Sequence, residues 1–335
     1  MTDRLLPFLE HRPEGLYSPA FDAFLDPPVP ASRAILSHAH ADHAVAGHGE
    51  IWATPETVRI YRRRNPEWSG QVLEIGFGDR RDRLGTLLEA FPSGHILGAA
   101  QWRFSNADSS LLYTGDFKRR LGRTAVAAQT PRARVLLTES TFGLPVFHFP
   151  AREALEARTV EVCREAIAQG ETPVLLAYAL GKAQETAMIL GDARIPTVLH
   201  GAAWKLIPEY EAAGFSFPLS RAYESGPPVL GEALLVPPRC ARTPIVQKLK
   251  RRRVVYLSGW AVRAASRADF DADVLVPLSD HADFPELLAH VAEVAPDRVV
   301  THHGYARDFA RILQARGFEA QALSEGGERA AEDPD

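Results

Sequence analysis

Apolar residues along this chain recur with two periods. Short runs bounded by turn residues read as strands, at 21–25, 34–36, 111–113, 135–137, 173–178, 197–199, 233–236 and 254–257, with two more leading into His281 and His303. Helical spacing is rarer. Thr54-Pro55-Glu56 supplies a hydroxyl cap and a proline at the first turn, and predicts a helix to about residue 64 with Val58 and Tyr61 inward. Residues 151–169, rich in Ala, Glu and Arg, put Leu155, Val162, Ala166 and Ile167 roughly on one side before Gly170 ends the helix. Gly181-Lys182 opens another. The 22-residue separation of His281 and His303 leaves room for a helix over 285–294 between two parallel strands. Five prolines between 13 and 30 make the opening extended chain rather than helix. The alternation of strand and helix predicts an α/β fold with a mostly parallel sheet. Proline-rich joints fall between elements, and no internal repeat is visible.

The chemistry sits where the strand-like runs end. Directly after 34–36 comes Ser37-His38-Ala39-His40-Ala41-Asp42-His43, four potential metal ligands within six residues. Imidazoles at i and i+2 converge on one ion when the backbone turns as it leaves a strand. The carboxylate and imidazole at i+4 and i+5 then serve a second ion. Two metals held ~3.5–4 Å apart activate a water and stabilise both oxygens of a phosphate displacement. His95, in a glycine-bracketed turn, and Asp116, at a strand end from which one carboxylate bridges two ions, extend the set. Asp42, His43 and Asp116 leave the second ion one ligand short, which a distant histidine, His281 or one of His302-His303, would fill. Lys118 follows Asp116, with Arg119 and Arg120, where a phosphate chain would lie. Thr138-Glu139-Ser140-Thr141 repeats the device of a strand delivering an acid and hydroxyls to a loop.

Bulk properties narrow the classes. A chain of 335 residues makes one large domain or two ordinary ones, and 46% hydrophobic residues ensure a core. No apolar stretch approaches the ~20 residues of a membrane span, and 1–12 lacks a signal-peptide pattern, so a soluble cytoplasmic protein is expected. Cys163 and Cys240 form no C-x-x-C pair and read as buried thiols. The net charge of −4 is not that of a global nucleic-acid binder, although basic residues cluster at 62–64, 80–83, 118–120 and 248–253. Gly76-Phe77-Gly78 lacks the third glycine of a dinucleotide loop, the Gly181-Lys182 stretch is not a Walker A loop, and no G-x-S-x-G occurs.

The H-x-H-x-D-H motif resembles the signature of the metallo-β-lactamase fold. With Glu139 in Thr-Glu-Ser-Thr, His281 in Ser-Asp-His and His303 in His-His-Gly, the chain resembles the β-CASP branch of that superfamily, the nucleic-acid-processing hydrolases, from about residue 15 to 323. Gly-Leu-Tyr at 15–17, Thr-Glu-Ser-Thr-Phe-Gly-Leu-Pro at 138–145, Ala-Tyr-Ala-Leu-Gly-Lys-Ala-Gln at 177–184 and the His-His-Gly-Tyr ending are most similar to the bacterial ligase-associated, Artemis-like DNA exonucleases. The resemblance implies an αββα metallo-β-lactamase sandwich over 1–145 and 270–325, an inserted α/β β-CASP domain over 146–269, and a disordered tail at 326–335. It implies two divalent ions, Zn²⁺ with Mn²⁺ as the alternative, held by His38, His40, Asp42, His43, His95, Asp116 and His303, with Asp26 supporting the histidine loop from behind. Asp42 would accept a proton from the attacking water, and His281, oriented by Glu139, would donate to the leaving oxygen. Lys118, Ser140, Lys182 and Ser258 are the expected phosphate contacts. The implied activity is hydrolysis of single-stranded DNA, 5′ to 3′, in repair, beside a DNA ligase and a helicase. The alternatives are a β-CASP ribonuclease, a small-molecule thioesterase or lactonase, and an inactive scaffold. At His303 the chain departs from Artemis-like enzymes, which carry valine there, and sides with the RNA-processing members.

Overall fold

A computed structural model describes residues 6–323; the tail expected at 326–335 lies outside them. They divide into two compact units, one from 6–121, 125–145 and 281–323, the other from 122–124 and 146–280. Among the described residues no helix is long and apolar enough to cross a membrane.

The first unit holds two mixed sheets. One runs in sequence order through β1 (Glu10–Arg12), β2 (Gly15–Ser18), β3 (Ala23–Leu25), β4 (Arg33–Ile35), β5 (Glu50–Ala53) and β6 (Gln71–Glu74), antiparallel at its start and parallel from β3 onward. The other is built from β7 (Arg80–Arg83), β8 (Thr86–Pro92), β9 (Ala100–Ser105), β10 (Ser110–Tyr113) and β11 (Val135–Glu139). Two strands from the end of the chain, β18 (Arg298–His302) and β19 (Ala320–Ala322), complete it parallel to β11.

Period-two alternation decides what each strand buries. Leu111, Tyr113, Val135, Leu137 and Val300 face a cluster shared with Leu25, Ile35 and Trp52 of the first sheet. Their neighbours Leu112, Leu136 and Val299 face Phe284, Leu287 and Val291 of the helix Phe284–Val294 and Phe309 of the helix Ala306–Ala315. Helix α1 (Pro55–Arg64) covers the outer face of the first sheet with Val58 and Tyr61, and its cap Thr54 accepts from the Thr57 amide, as its sequence predicts. Each such side chain contributes roughly 1.5–3 kcal/mol by leaving water.

The second unit carries one wholly parallel sheet. β12 (Thr172–Leu176), β13 (Thr197–Leu199), β14 (Ser220–Ala222), β15 (Ala233–Val236), β16 (Arg252–Leu257) and β17 (Val274–Val276) lie in the order β14-β13-β15-β12-β16-β17. Helices α2 (Arg152–Ala168) and α3 (Lys182–Asp192) belong to the same unit.

Two expectations change. The sequence places the strands before His281 and His303 side by side, but β17 pairs with β16, Val255 opposite Val274, whereas β18 pairs with β11, Glu139 opposite His302. Each finds a parallel edge in a different unit. For the same reason the second unit runs to Asp280, eleven residues past the expected boundary at 269.

Candidate metal centre

Three parallel strand ends place one side of the site. β10, β11 and β18 are adjacent and leave the sheet at one end with Asp116, Glu139 and His302-His303. The chain must turn sharply there. Gly115 has φ +51°, and a Cβ on it would meet the Ser37 Cβ at 2.5 Å, so only glycine lets the Asp116 loop approach the histidine loop. Gly304, at φ +54°, would likewise strike the Thr141 Cα at 2.4 Å.

The His38-to-His43 loop leaves β4, and His95 leaves β8. His40 Nδ1 lies 3.1 Å from His38 Nε2 and 3.0 Å from His95 Nε2, and Asp116 Oδ2 is 3.5 and 3.8 Å from the same two nitrogens. One donor atom from each of these four buried residues falls within 4.8 Å of all the others. Asp116 Oδ2 also lies 3.5 Å from His43 Nε2 and 3.9 Å from His281 Nε2, which makes it the common neighbour of four imidazoles. Asp42 Oδ2 is 3.7 Å from His43 Nε2 on the more exposed side. The His303 ring centre is 5.4 Å from that of His43, and its backbone has φ +56°. Neither Asp42 nor His303 belongs to the tight donor groups found among the described residues.

Asp26 organises the loop from behind. It accepts from the Ser37 amide at 2.6 Å, the Tyr113 hydroxyl at 2.8 Å and His43 Nδ1 at 2.9 Å, and also from the Ser37 hydroxyl. Ser37 spends its single proton on Asp26, so at 3.0 Å its oxygen accepts from His38 Nδ1. Both His38 and His43 therefore carry a proton on Nδ1 and turn Nε2 inward, the nitrogen each can offer to a metal once it holds no proton of its own. Burial, then the crowd of imidazoles, pushes His38 well below its ordinary pKa. Burial acts the same way on His43, yet Asp116, Asp42 and Asp26 lift it well above. Burial raises Asp116. Inward lone pairs around a shared carboxylate are a donor set that a divalent cation fits.

Glu139 and His281 form a second pair at the edge of this cluster. His281 Nδ1 is 3.0 and 3.1 Å from the two Glu139 oxygens, and Glu139 Oε1 accepts from the Phe117 amide at 2.8 Å. Burial opposes a charge on Glu139, but His281, a hydrogen bond with Thr141 and that amide outweigh it and hold the carboxyl below its usual range.

No family model matches the chain. It is 38% identical over 314 residues to a probable DNA ligase of Opitutus terrae, covering 93% of this chain and 30% of the ligase. It is 36% identical over 136 residues to cleavage and polyadenylation specificity factor 73 of Drosophila melanogaster, covering 40% of this chain and 20% of that protein. With an RNase J-like protein of Methanocaldococcus jannaschii the identity is 28% over 180 residues, 47% of this chain and 43% of the relative. Proteins of the β-CASP branch of the metallo-β-lactamase superfamily are thus among the homologues of this chain. It spans about a fifth to under half the length of these relatives. A crystal structure of a protein of unknown function from Enterococcus faecalis shares the fold at TM-score 0.61 and 14% identity, over 88% of this chain and 80% of that one.

The four side chains expected to meet phosphate are turned inward. Lys118 is 2% exposed, and the Ser140 hydroxyl donates to the carbonyls of His302 and His303 at 2.9 and 2.6 Å, bracing that turn. Lys182 Nζ lies 2.7 Å from Asp280 Oδ1, with the two side chains 1% and 7% exposed. Ser258 Oγ accepts from the Trp260 amide at 3.3 Å. In the basic run at 248–253, Arg253 donates to Gln169 Oε1 at 2.8 Å and Arg251 to the Gln169 carbonyl, so both close the end of α2. Three supporting residues escape sequence reasoning: Ser37, Tyr113, and Arg64, whose Nη1 donates to the Ala39 carbonyl between His38 and His40 at 2.5 Å. Ser37 is flagged only by its place before His38; nothing local marks the others.

Proposed function

We propose that this chain is a metal-dependent nuclease that hydrolyses phosphodiester bonds of single-stranded DNA from the 5′ end. The observation that carries it is the contact of the Glu139–His281 pair with the carboxylate shared by the histidine cluster: a proton donor stands beside a cation cradle. The fold reading that accompanies it is the αββα metallo-β-lactamase sandwich for the first unit and an inserted β-CASP domain for the second. His38, His40, His95 and Asp116 would hold one divalent ion, and Asp42, His43, Asp116 and His303 the other, with Zn²⁺ favoured by imidazole donors. Bound there, such ions supply a nucleophile at neutral pH and neutralise phosphate charge.

The rest is work for the chain itself. Asp42, the exposed carboxylate of the loop, accepts the proton of the attacking water. His281 gives the proton on Nε2 to the leaving oxygen, and Glu139 fixes its tautomer through Nδ1 and stabilises the charged ring. Asp26, Ser37 and Tyr113 keep the histidine loop from relaxing.

DNA is favoured by the ligase relative: a segment similar to 93% of this chain makes up 30% of a protein named probable DNA ligase. RNA is the second reading. His303 favours it, as do relatives named RNase J-like protein and endoribonuclease ysh1. A thioesterase or lactonase would have no use for the parallel-sheet unit of 146–280. Single-stranded DNA and RNA oligonucleotides, each blocked at one end and sized over time with Zn²⁺ or Mn²⁺, test the proposal. Stepwise shortening of DNA from a free 5′ end is expected. Cleavage of RNA alone moves the assignment to a ribonuclease, and inertness toward both overturns it.

A further inference from the structure

We propose that Arg120 is a positioning residue for His281, acting through the buried carboxylate of Asp283; this rests on the general-acid role proposed above. The run Lys118-Arg119-Arg120 reads in sequence as cations offered to phosphate. In the fold, Arg119 Nη2 reaches Glu293 Oε1 at 2.6 Å, and Arg120 closes on the opposite end of the same helix, Phe284–Val294. Arg120 Nη2 pairs with Asp283 Oδ2, and Arg120 Nε lies 3.2 Å from Glu286 Oε1. Asp283 is 0% exposed and caps that helix, accepting from the Glu286 amide at 3.0 Å. A carboxylate so buried needs a fixed cation. Only a planar fork reaches both acids at once, so lysine is an incomplete replacement.

The geometric consequence concerns the residue two places earlier. Ala282 donates to the Phe117 carbonyl at 2.7 Å, and the Phe117 amide donates to Glu139, which holds His281 Nδ1. Segments 116–120 and 281–283 are thus tied at residue 117 by backbone and at residue 120 by side chain. One tied segment carries the shared carboxylate Asp116, the other the imidazole 3.9 Å from it. Without Arg120, one of these two ties is gone and the helix start is free to swing, carrying His281 away from the leaving oxygen. A misplacement of ~1 Å costs about 10²-fold in rate.

The test separates proton donation from everything else by changing the leaving group. Wild type, His281→Ala, Arg120→Gln and Arg120→Lys are compared on a single-stranded oligonucleotide and on a p-nitrophenyl phosphodiester, whose phenolate departs without a proton. Bound metal is measured for each. His281→Ala should lose ~10²–10⁴ in kcat on the oligonucleotide and little on the p-nitrophenyl ester. Arg120→Gln should follow it with a loss of about 10²-fold on the oligonucleotide only, at unchanged KM and metal content. Arg120→Lys should recover part of the loss. Equal losses on both substrates, or a KM effect alone with a flatter salt dependence, overturn the positioning role. If His281→Ala itself loses equally on both, the general-acid reading falls, whatever Arg120 does. Should Arg120→Gln not fold, Arg120→Lys and Asp283→Asn carry the same comparison.

Discussion

At the scale of single residues, what a side chain touches overrides what its type suggests. Lys182 is the clearest case. By sequence it is a cation at a helix start, suited to an anion; in the fold it is half of a buried ion pair with Asp280. Removing one partner of such a pair costs roughly 3–5 kcal/mol, whereas replacing both by apolar residues is often close to neutral. Lys182→Met should therefore lower the urea midpoint strongly, and Lys182→Met with Asp280→Leu should recover most of it. A Lys182→Met protein of undiminished stability that binds DNA less tightly would restore the phosphate role. Asp26 is the converse case, an acid for which the family resemblance implies support and whose contacts bear on four groups. Asp26→Ala should weaken metal binding about 10–100-fold, read by competition with a chromophoric chelator. The donor types and their order were legible because H-x-H-x-D-H is dense. The inward lysines were not, since nothing in a basic run tells whether an acid 98 residues away will face it.

At the scale of elements, the helix Phe284–Val294 shows both what periodicity reveals and what it hides. Its cap and apolar face follow from Asp283, Pro285, Leu287 and Val291. His290 on the same face gives no sign of its surroundings, yet it is fully buried against Phe117, rings 4.4 Å apart, and neither ring nitrogen has a hydrogen-bond partner among the described residues. Burial, helped by Arg119, drops its pKa to about 3. An unfolded histidine titrates near ~6.5. Between these values the unfolded chain binds the extra proton, so the contribution is fully present above about pH 6.5 and is lost as pH falls toward 3. The slope is at most about 1.4 kcal/mol per pH unit. His290→Phe should remove it: urea midpoints at pH 7.5 and 5 should differ less in the variant than in wild type. Equal differences in the two would mean that His290 is already protonated in the fold.

For the whole molecule, the strands were legible one by one and their partners were not. Residues 197–199 and 233–236 fall in strands with those very bounds, but nothing in the runs before His281 and His303 says that one pairs with β16 and the other with β11. Pairing is decided by which edges remain open after the rest has folded, and that information is non-local. The division has an energetic consequence. All the proposed ligands belong to the unit formed by 6–121, 125–145 and 281–323, and none to 146–280. Buried inward lone pairs and a buried Asp116 are unfavourable without a cation, so metal binding and the folding of that unit are coupled. A ligand at a hundred times its Kd adds about 2.7 kcal/mol to whatever it stabilises. Hydrogen exchange on chelated and Zn²⁺-loaded protein should therefore show added protection in β4, β8, β10, β11 and β18 and almost none in β12, β15 and β16. Equal protection throughout would mean that the two units open together, and no gain in β10 and β11 would mean that Asp116 does not take part in holding the ion.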